Sequence, residues 1–133
     1  MNISVVTGDL ARPPEHRTLP SGEELVTYEL RVVGPDDRAA SVPVSWPAPP
    51  AGAEAFEVGE ALLVVGRVRR RFFRSCGSTQ SRTEVVASAI VPVRRRAAVR
   101  RLLAKATAEL DQLAVERPAR RRPKLDAQVA DAS

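Results

Sequence analysis

Residues 59–73 (GEALLVVGRVRRRFF) constrain the fold of this chain more than any other segment. Up to Gly66, leucine and valine occupy both faces of a predicted buried β-strand, and the glycine is typical of a bend. Successive strand side chains point to opposite faces. One face therefore carries a ring and three guanidiniums, those of Phe73, Arg67, Arg69 and Arg71. The other face carries Leu62, Val64, Gly66 and Val68.

This distribution has two interpretations. Cations that track phosphates, beside an aromatic ring that stacks a base, are typical of a surface for single-stranded nucleic acid. Alternatively, the segment is a solvated edge strand whose arginines oppose aggregation. The segment alone leaves both open. Phe72 has the opposite strand parity to Phe73, so we expect it to pack inward or into a subunit contact.

The rest of the first 93 residues predicts further strands. The clearest is segment 24–33, where Val26, Tyr28, Leu30 and Val32 share one face. Additional strands are predicted at 2–10, 39–46 and 84–93, with a loop at 12–22, a polar hairpin loop at 74–82 and a short helix at 51–58. Five strands with a helix between the third and fourth indicate an all-β, five-stranded OB-fold barrel over residues 1–93.

The last forty residues are different in kind. Residues 94–116 predict an amphipathic helix, because apolar side chains recur at steps of four and three at Val99, Leu103, Ala106, Leu110 and Leu113. The helix packs against the barrel, against a sister chain, or near an external anion that its basic first half attracts. Residues 117–133 are rich in proline and arginine, which predicts a disordered basic tail.

Composition indicates the class of partner. The net charge of +5 and a pI of about 10.6 favour a polyanion. Cys76 is the single cysteine, which fits a reducing compartment. No apolar run approaches the roughly 20 residues that span a bilayer, and no signal peptide is evident. The cysteine count and the lack of an apolar span lead us to expect a cytoplasmic protein. The positive charge leads us to expect that it associates with the nucleoid.

The sequence offers no catalytic chemistry. His16 is the only histidine and lies in a proline-flanked segment with no metal-ligand spacing. Cys76 lies beside Arg74 without a base or relay, and the glycines form no phosphate-binding loop. We expect no enzyme, no cofactor and no metal.

Three segments carry a family resemblance: VVTGDLARPPEHRTLPSG, GEALLVVGRVRRRF and TEVVA. Together with the strand between the first two, they resemble the bacterial single-stranded DNA-binding protein family over residues 2–93. The resemblance implies a homo-oligomeric OB-fold, dimeric or tetrameric, that coats single-stranded DNA in replication, recombination or repair, together with proteins of those processes. It places the family's base-stacking tryptophan on Phe73 and its basic residues on Arg69 and Arg71.

The chain also departs from the family pattern. The other stacking aromatics of the family fall on Asp36 or its neighbours, Ala39 and Ser45, none of which is aromatic. Trp46 lies one step from a family glycine, and the acidic C-terminal tip is replaced by a basic tract ending in DAQVADAS. Because each lost stacking platform is worth roughly 1–3 kcal/mol, we expect a divergent paralogue with weaker binding.

These observations leave three functional hypotheses. In the first, an arginine-rich groove binds single-stranded DNA without sequence preference: Phe73 stacks a base, phosphates contact Arg67, Arg69, Arg71, Arg74 and Arg82, and Arg31 and Trp46 are further candidates. In the second, the barrel is a scaffold for assembly through helix 94–116. In the third, the basic helix and tail bind duplex DNA non-specifically.

Overall fold

A computed structural model describes residues 1–116 of the chain. It contains six strands followed by one helix. In chain order the elements are β1 Ser4–Leu10, β2 Glu15–Thr18, β3 Glu24–Val33, β4 Ala39–Pro47, β5 Ala61–Ser75, β6 Ser78–Pro92 and α1 Arg96–Glu116.

The strands form one sheet that curls back on itself in OB-like topology. The strand order is β1-β5-β6-β4-β3-β2, and β1 also pairs with β3. All neighbours are antiparallel except β4 and β6. The expected closed barrel is found only in part. Two of its seams are short, because β1 meets β3 at Asp9 and Leu10, and β4 meets β6 at Val44 and Ser45.

The inward faces of the strands form a single apolar core. The alternation predicted for β3 is confirmed, with Tyr28 and Leu30 buried. Tyr28 packs against Trp46, their ring centroids 6.4 Å apart, and its hydroxyl donates a 2.6 Å hydrogen bond to the carbonyl oxygen of Ala53. Burial and the negative charge of Glu54 raise the pKa of Tyr28, so its hydroxyl stays protonated in the core.

The prediction of a short helix at 51–58 is wrong. Residues between β4 and β5 form turns closed by bonds such as the 3.0 Å contact from the Ala55 amide to the Gly52 carbonyl. Gly52 and Gly59 have φ values of +88° and +89°, outside the right-handed helical region. Alanine content suggested a helix, but these glycines and the preceding Pro49 and Pro50 favour turns.

Two predicted loops contain strands. The segment 12–22 includes β2, which pairs with β3 from Glu15↔Thr27 to Thr18↔Glu24. The hairpin predicted at 74–82 is confirmed, but its loop is much shorter than expected, because β5 and β6 pair as far as Ser75↔Ser78. Cys76 and Gly77 make the connection with φ values of 51° and 78°, as a two-residue type I′ turn requires.

Helix α1 packs against β5 and β6. Ala106 is its buried residue, and Leu63 and Val65 are buried outside the inner core cluster. Leu103 and Leu110 stay exposed. This helix does not combine the length and apolar character needed to cross a membrane. The predicted tail, 117–133, lies outside the described residues.

Candidate nucleic-acid interface

Strands β5 and β6 extend beyond the rest of the sheet as a two-stranded ribbon. β1 accompanies β5 only as far as Gly66, and the Asn2 side chain continues that edge by bonding the amide and carbonyl of Val68 at 3.0 and 2.7 Å. β4 accompanies β6 only at Val85 and Val86. Residues 69–75 and 78–84 therefore pair only with each other; we call them the β5–β6 ribbon.

The ladder assigns the side chains of the ribbon to two faces. Its register is regular from Gly66↔Ala87 onward, so the predicted alternation of Arg67, Arg69, Arg71 and Phe73 along one face is maintained. Their partners opposite on β6 are Val86, Glu84, Arg82 and Gln80 respectively. Arg71 and Arg82 are thus two like charges directly across the ladder. Such pairs destabilise a sheet unless an anion is close.

A cleft of about 420 Å³ lies between this face of the ribbon and the body of the sheet. Its lining joins three regions of the chain that are distant in sequence. The ribbon contributes Arg71, Phe73, Arg82 and Glu84. Strands β3 and β4 contribute Thr27, Tyr28, Glu29, Pro43 and Val44, and β2 with the segment before it contributes Arg12, Pro13, Glu15 and Arg17.

Two of the predicted phosphate contacts are already engaged by carboxylates. Arg69 donates from Nε to Glu84 Oε1 at 3.1 Å, and Nη2 also contacts that oxygen. Glu84 is only 7% exposed. Arg82 lies 3.5 Å from Glu29. The cleft is therefore a mixed surface in which carboxylates accompany the arginines.

Other candidate cations are available for an external anion. Among residues 1–116, no carboxylate lies within 4.0 Å of the guanidiniums of Arg31, Arg67, Arg71 and Arg74. All four residues are exposed. Arg71 lines the cleft. Arg67 lies on the same face of β5, four residues earlier in the chain. Arg74 has the opposite parity and lies on the other face of the ribbon.

The two adjacent phenylalanines have different surroundings. Phe73 lines the cleft and is 39% exposed, so part of its ring is available to a ligand. Phe72 is 67% exposed on the opposite face. The expectation that Phe72 packs inward is wrong for this chain, because the ribbon has left the barrel at that point and offers no core. Its role in a subunit contact stays a prediction.

Trp46 is not part of this surface. Its side chain belongs to the hydrophobic core and is 7% exposed. The parity of β4 directs it inward with Val44 and the ring of Tyr28. A base cannot reach the ring without opening the core, so Trp46 is not available to stack a base, contrary to the prediction from the sequence.

Sequence reasoning missed the acidic members of the cleft. Glu29 shares the outer face of β3 with Thr27 and Arg31 by simple alternation, so its exposure on that face was available from the sequence. Its partners Arg82 and Arg12 could not be predicted from the sequence, because these contacts join segments that are separated along the chain. Within residues 1–116, no group of three His, Cys, Asp or Glu side chains could hold a metal ion.

Comparison with solved structures supports the fold. The chain is similar to the dimeric structure of the N-terminal domain of PriB protein from Thermoanaerobacter tencongensis, with a TM-score of 0.54 and 19% sequence identity. The alignment covers 68% of this chain and 94% of that one. At this identity the likeness establishes the OB-like fold alone. No protein-family model and no curated protein sequence matches the chain.

Proposed function

We propose that this protein binds single-stranded DNA without sequence preference. The observation that carries the proposal is the cross-strand pair Arg71 and Arg82 beside the exposed ring of Phe73, all in one cleft. Two guanidiniums opposite each other repel, so an anion bound near them is stabilising. A ring next to them supplies the stacking contact that distinguishes single strands from a bare polyanion.

The proposed interface contains fewer residues than the sequence suggested. Arg67 and Arg71 supply cations along β5 that no carboxylate of residues 1–116 approaches within 4.0 Å. Arg82 adds a guanidinium across the ladder that Glu29 shares, and Phe73 stacks a base. Arg69 is excluded as a principal phosphate contact because Glu84 engages it. Arg31 and Arg74 lie at the margins, where they attract the backbone at long range.

The wider biological setting is also a proposal. The resemblance of residues 2–93 to single-stranded DNA-binding proteins supports a divergent paralogue that acts in replication, recombination or repair, without catalysis, in the cytoplasm. The OB-like fold agrees with that family's architecture. Because the similar PriB domain is described as dimeric, we propose a homo-oligomer here, with a dimer as the first state to test.

Fluorescence anisotropy tests the function directly. A labelled oligo-dT and a duplex of equal length are titrated with the full chain at several salt concentrations. We expect oligo-dT to bind more tightly, with affinity that survives at moderate salt. Equal binding of the two probes, lost steeply as salt rises, would indicate counterion release alone and the duplex-binding hypothesis.

A second candidate function is assembly through α1. It is favoured by one observation: Leu103 and Leu110, seven residues apart on one side of the helix, stay exposed although the helix packs on the barrel. Apolar residues at heptad spacing are typical of helix pairing. In this hypothesis the OB-like unit is a scaffold and its nucleic-acid binding is weak or non-specific.

Point substitutions separate the two functions better than deletion of α1, because the helix contacts β5 and β6 and its removal would change the surface of the sheet. The variant Leu103→Ser/Leu110→Ser changes only exposed positions. If assembly is the function, sedimentation should show smaller species for this variant. If DNA binding is the function, its affinity for oligo-dT should equal that of the unmodified chain.

A further inference from the structure

Glu29 lies in the cleft between two arginines from different regions of the chain. Its Oε2 is 3.5 Å from Arg82 on the ribbon and 4.0 Å from Arg12 ahead of β2. A carboxylate between two guanidiniums has the charge and the oxygen acceptors that a phosphate would present there. Its negative charge also reduces the repulsion between Arg82 and the opposed Arg71.

The two carboxylates of the cleft differ in how easily they can give up their arginines. The Glu29 side chain is 19% exposed and keeps a hydrogen bond from the Ser41 hydroxyl when an arginine leaves. Glu84 is buried, and Arg69 supplies the hydrogen bonds to its carboxylate. Moving Arg69 away would leave a buried charge without a partner, which is strongly destabilising. Glu29 is therefore the contact that can open.

We propose that Glu29 occupies the position of a DNA phosphate in the free protein and is displaced from Arg82 and Arg12 when a strand binds. The inference rests on the proposed function and deepens it by naming how that site is regulated. Each phosphate contact of Arg82 replaces an existing ion pair, so its net gain is small. Glu29 thereby lowers the affinity of the cleft for any polyanion and shortens the lifetime of the complex.

The first test compares two substitutions that change net charge equally. Glu29→Gln removes the competing charge but keeps the acceptor for Ser41. Glu109→Gln is the control, because it makes the same change on the exposed surface of α1. In anisotropy titrations with oligo-dT, we expect Glu29→Gln to bind about three- to tenfold more tightly than Glu109→Gln. Equal or weaker binding would overturn the proposal.

A double-mutant cycle separates displacement from simple charge repulsion. If phosphate replaces Glu29 at Arg82, then Arg82→Gln should weaken binding more in the Glu29→Gln background than in the natural chain, by at least about threefold. Strictly additive effects would show that Arg82 and Glu29 act independently and would contradict displacement. Circular dichroism melting of every variant verifies that the comparison is made between folded proteins.

Failure of this inference differs from failure of the proposed function. If the chain prefers duplex or shows no preference, the single-strand function fails, yet the same cycle run with duplex as the probe still decides the role of Glu29. If oligo-dT is preferred and the cycle is additive, the function stands and the displacement mechanism falls.

Discussion

Arg71 on β5 and Arg82 on β6 are directly opposite each other in the antiparallel ladder of the ribbon. Sheets normally avoid facing like charges, which destabilise the pair by a few tenths of a kcal/mol to about 1 kcal/mol. Glu29 relieves the charge on the Arg82 side, while the Arg71 guanidinium has no carboxylate within 4.0 Å in residues 1–116. The pair therefore lowers the stability of the fold at a place where the cleft needs positive charge. Functional sites often break a local rule of stability in this way.

Replacing Arg71 by glutamine should separate stability from binding. We expect the free energy of unfolding to stay unchanged or rise by up to about 0.5 kcal/mol, because the like-charge contact is removed. The affinity for oligo-dT should fall, and the salt slope should shrink by about 0.7, one phosphate contact on a single strand. Urea unfolding and salt-dependent anisotropy measure the two quantities. Arg38→Gln, in the exposed turn before β4, is the control; an equal loss of affinity there would refute a specific role for Arg71.

Arg69 and Arg67 share a face of β5, but replacing them should change the free energy of unfolding by different amounts. Arg69→Gln leaves the buried Glu84 carboxylate without its guanidinium, so we expect a loss of about 1–2 kcal/mol in the free energy of unfolding. Arg67→Gln removes an exposed cation without an ion pair and should change stability by less than about 0.5 kcal/mol. Urea denaturation of both variants decides this. Equal, small effects would mean that the Arg69–Glu84 pair contributes nothing in solution.

Gly66 is required where β5 turns from the barrel into the ribbon. The ladder shifts register between Val65 and Gly66, and a Cβ at position 66 would overlap the carbonyl oxygen of Val86. Gly66→Ala should therefore cost roughly 3 kcal/mol in the free energy of unfolding. Gly34→Ala is the matched control, because its Cβ would meet only Asp36 Oδ1 at 3.1 Å and the Arg38 carbonyl oxygen at 3.8 Å. If thermal melts of the two variants coincide, the backbone around position 66 accommodates a Cβ and glycine is not required there.

The fluorescence of Trp46 tests where DNA binds. It is the only tryptophan and lies in the core against Tyr28. Binding of oligo-dT in the cleft should leave its emission spectrum and intensity nearly unchanged, because no base stacks on a buried ring. Strong quenching on titration would place the ligand at Trp46 or show that binding opens the core.

Local pattern was sufficient to predict much of the fold. Alternation along β3 indicated its buried face because strand side chains have a period of two. The same period correctly placed Phe73 with Arg67 and Arg71 on one face of β5. The helix α1 was predictable from apolar spacing, although it begins at Arg96 rather than at residue 94.

Other features depend on contacts or on backbone conformations that local pattern does not reveal. β2 is four residues long with every side chain exposed, so its sequence shows no alternation. The polar residues 78–83 of β6 form a strand because β5 pairs with them, not because of their own propensity. Trp46 could have faced either side until the register of β3 and β4 placed it opposite Val26 in the core. The carboxylates that accompany Arg69 and Arg82 are likewise tertiary partners.

The central claim is that the cleft stacks bases as well as attracting phosphates. The most direct measurement titrates the chain against oligo-dT and against an abasic strand with the same number of phosphates, for the natural protein, Phe73→Ala and Phe72→Ala. We predict tighter binding of oligo-dT by roughly 5- to 150-fold, one base stacked at 1–3 kcal/mol. That preference should be lost in Phe73→Ala and kept in Phe72→Ala, whose ring lies on the opposite face. Equal affinity of the natural protein for both strands would contradict the claim.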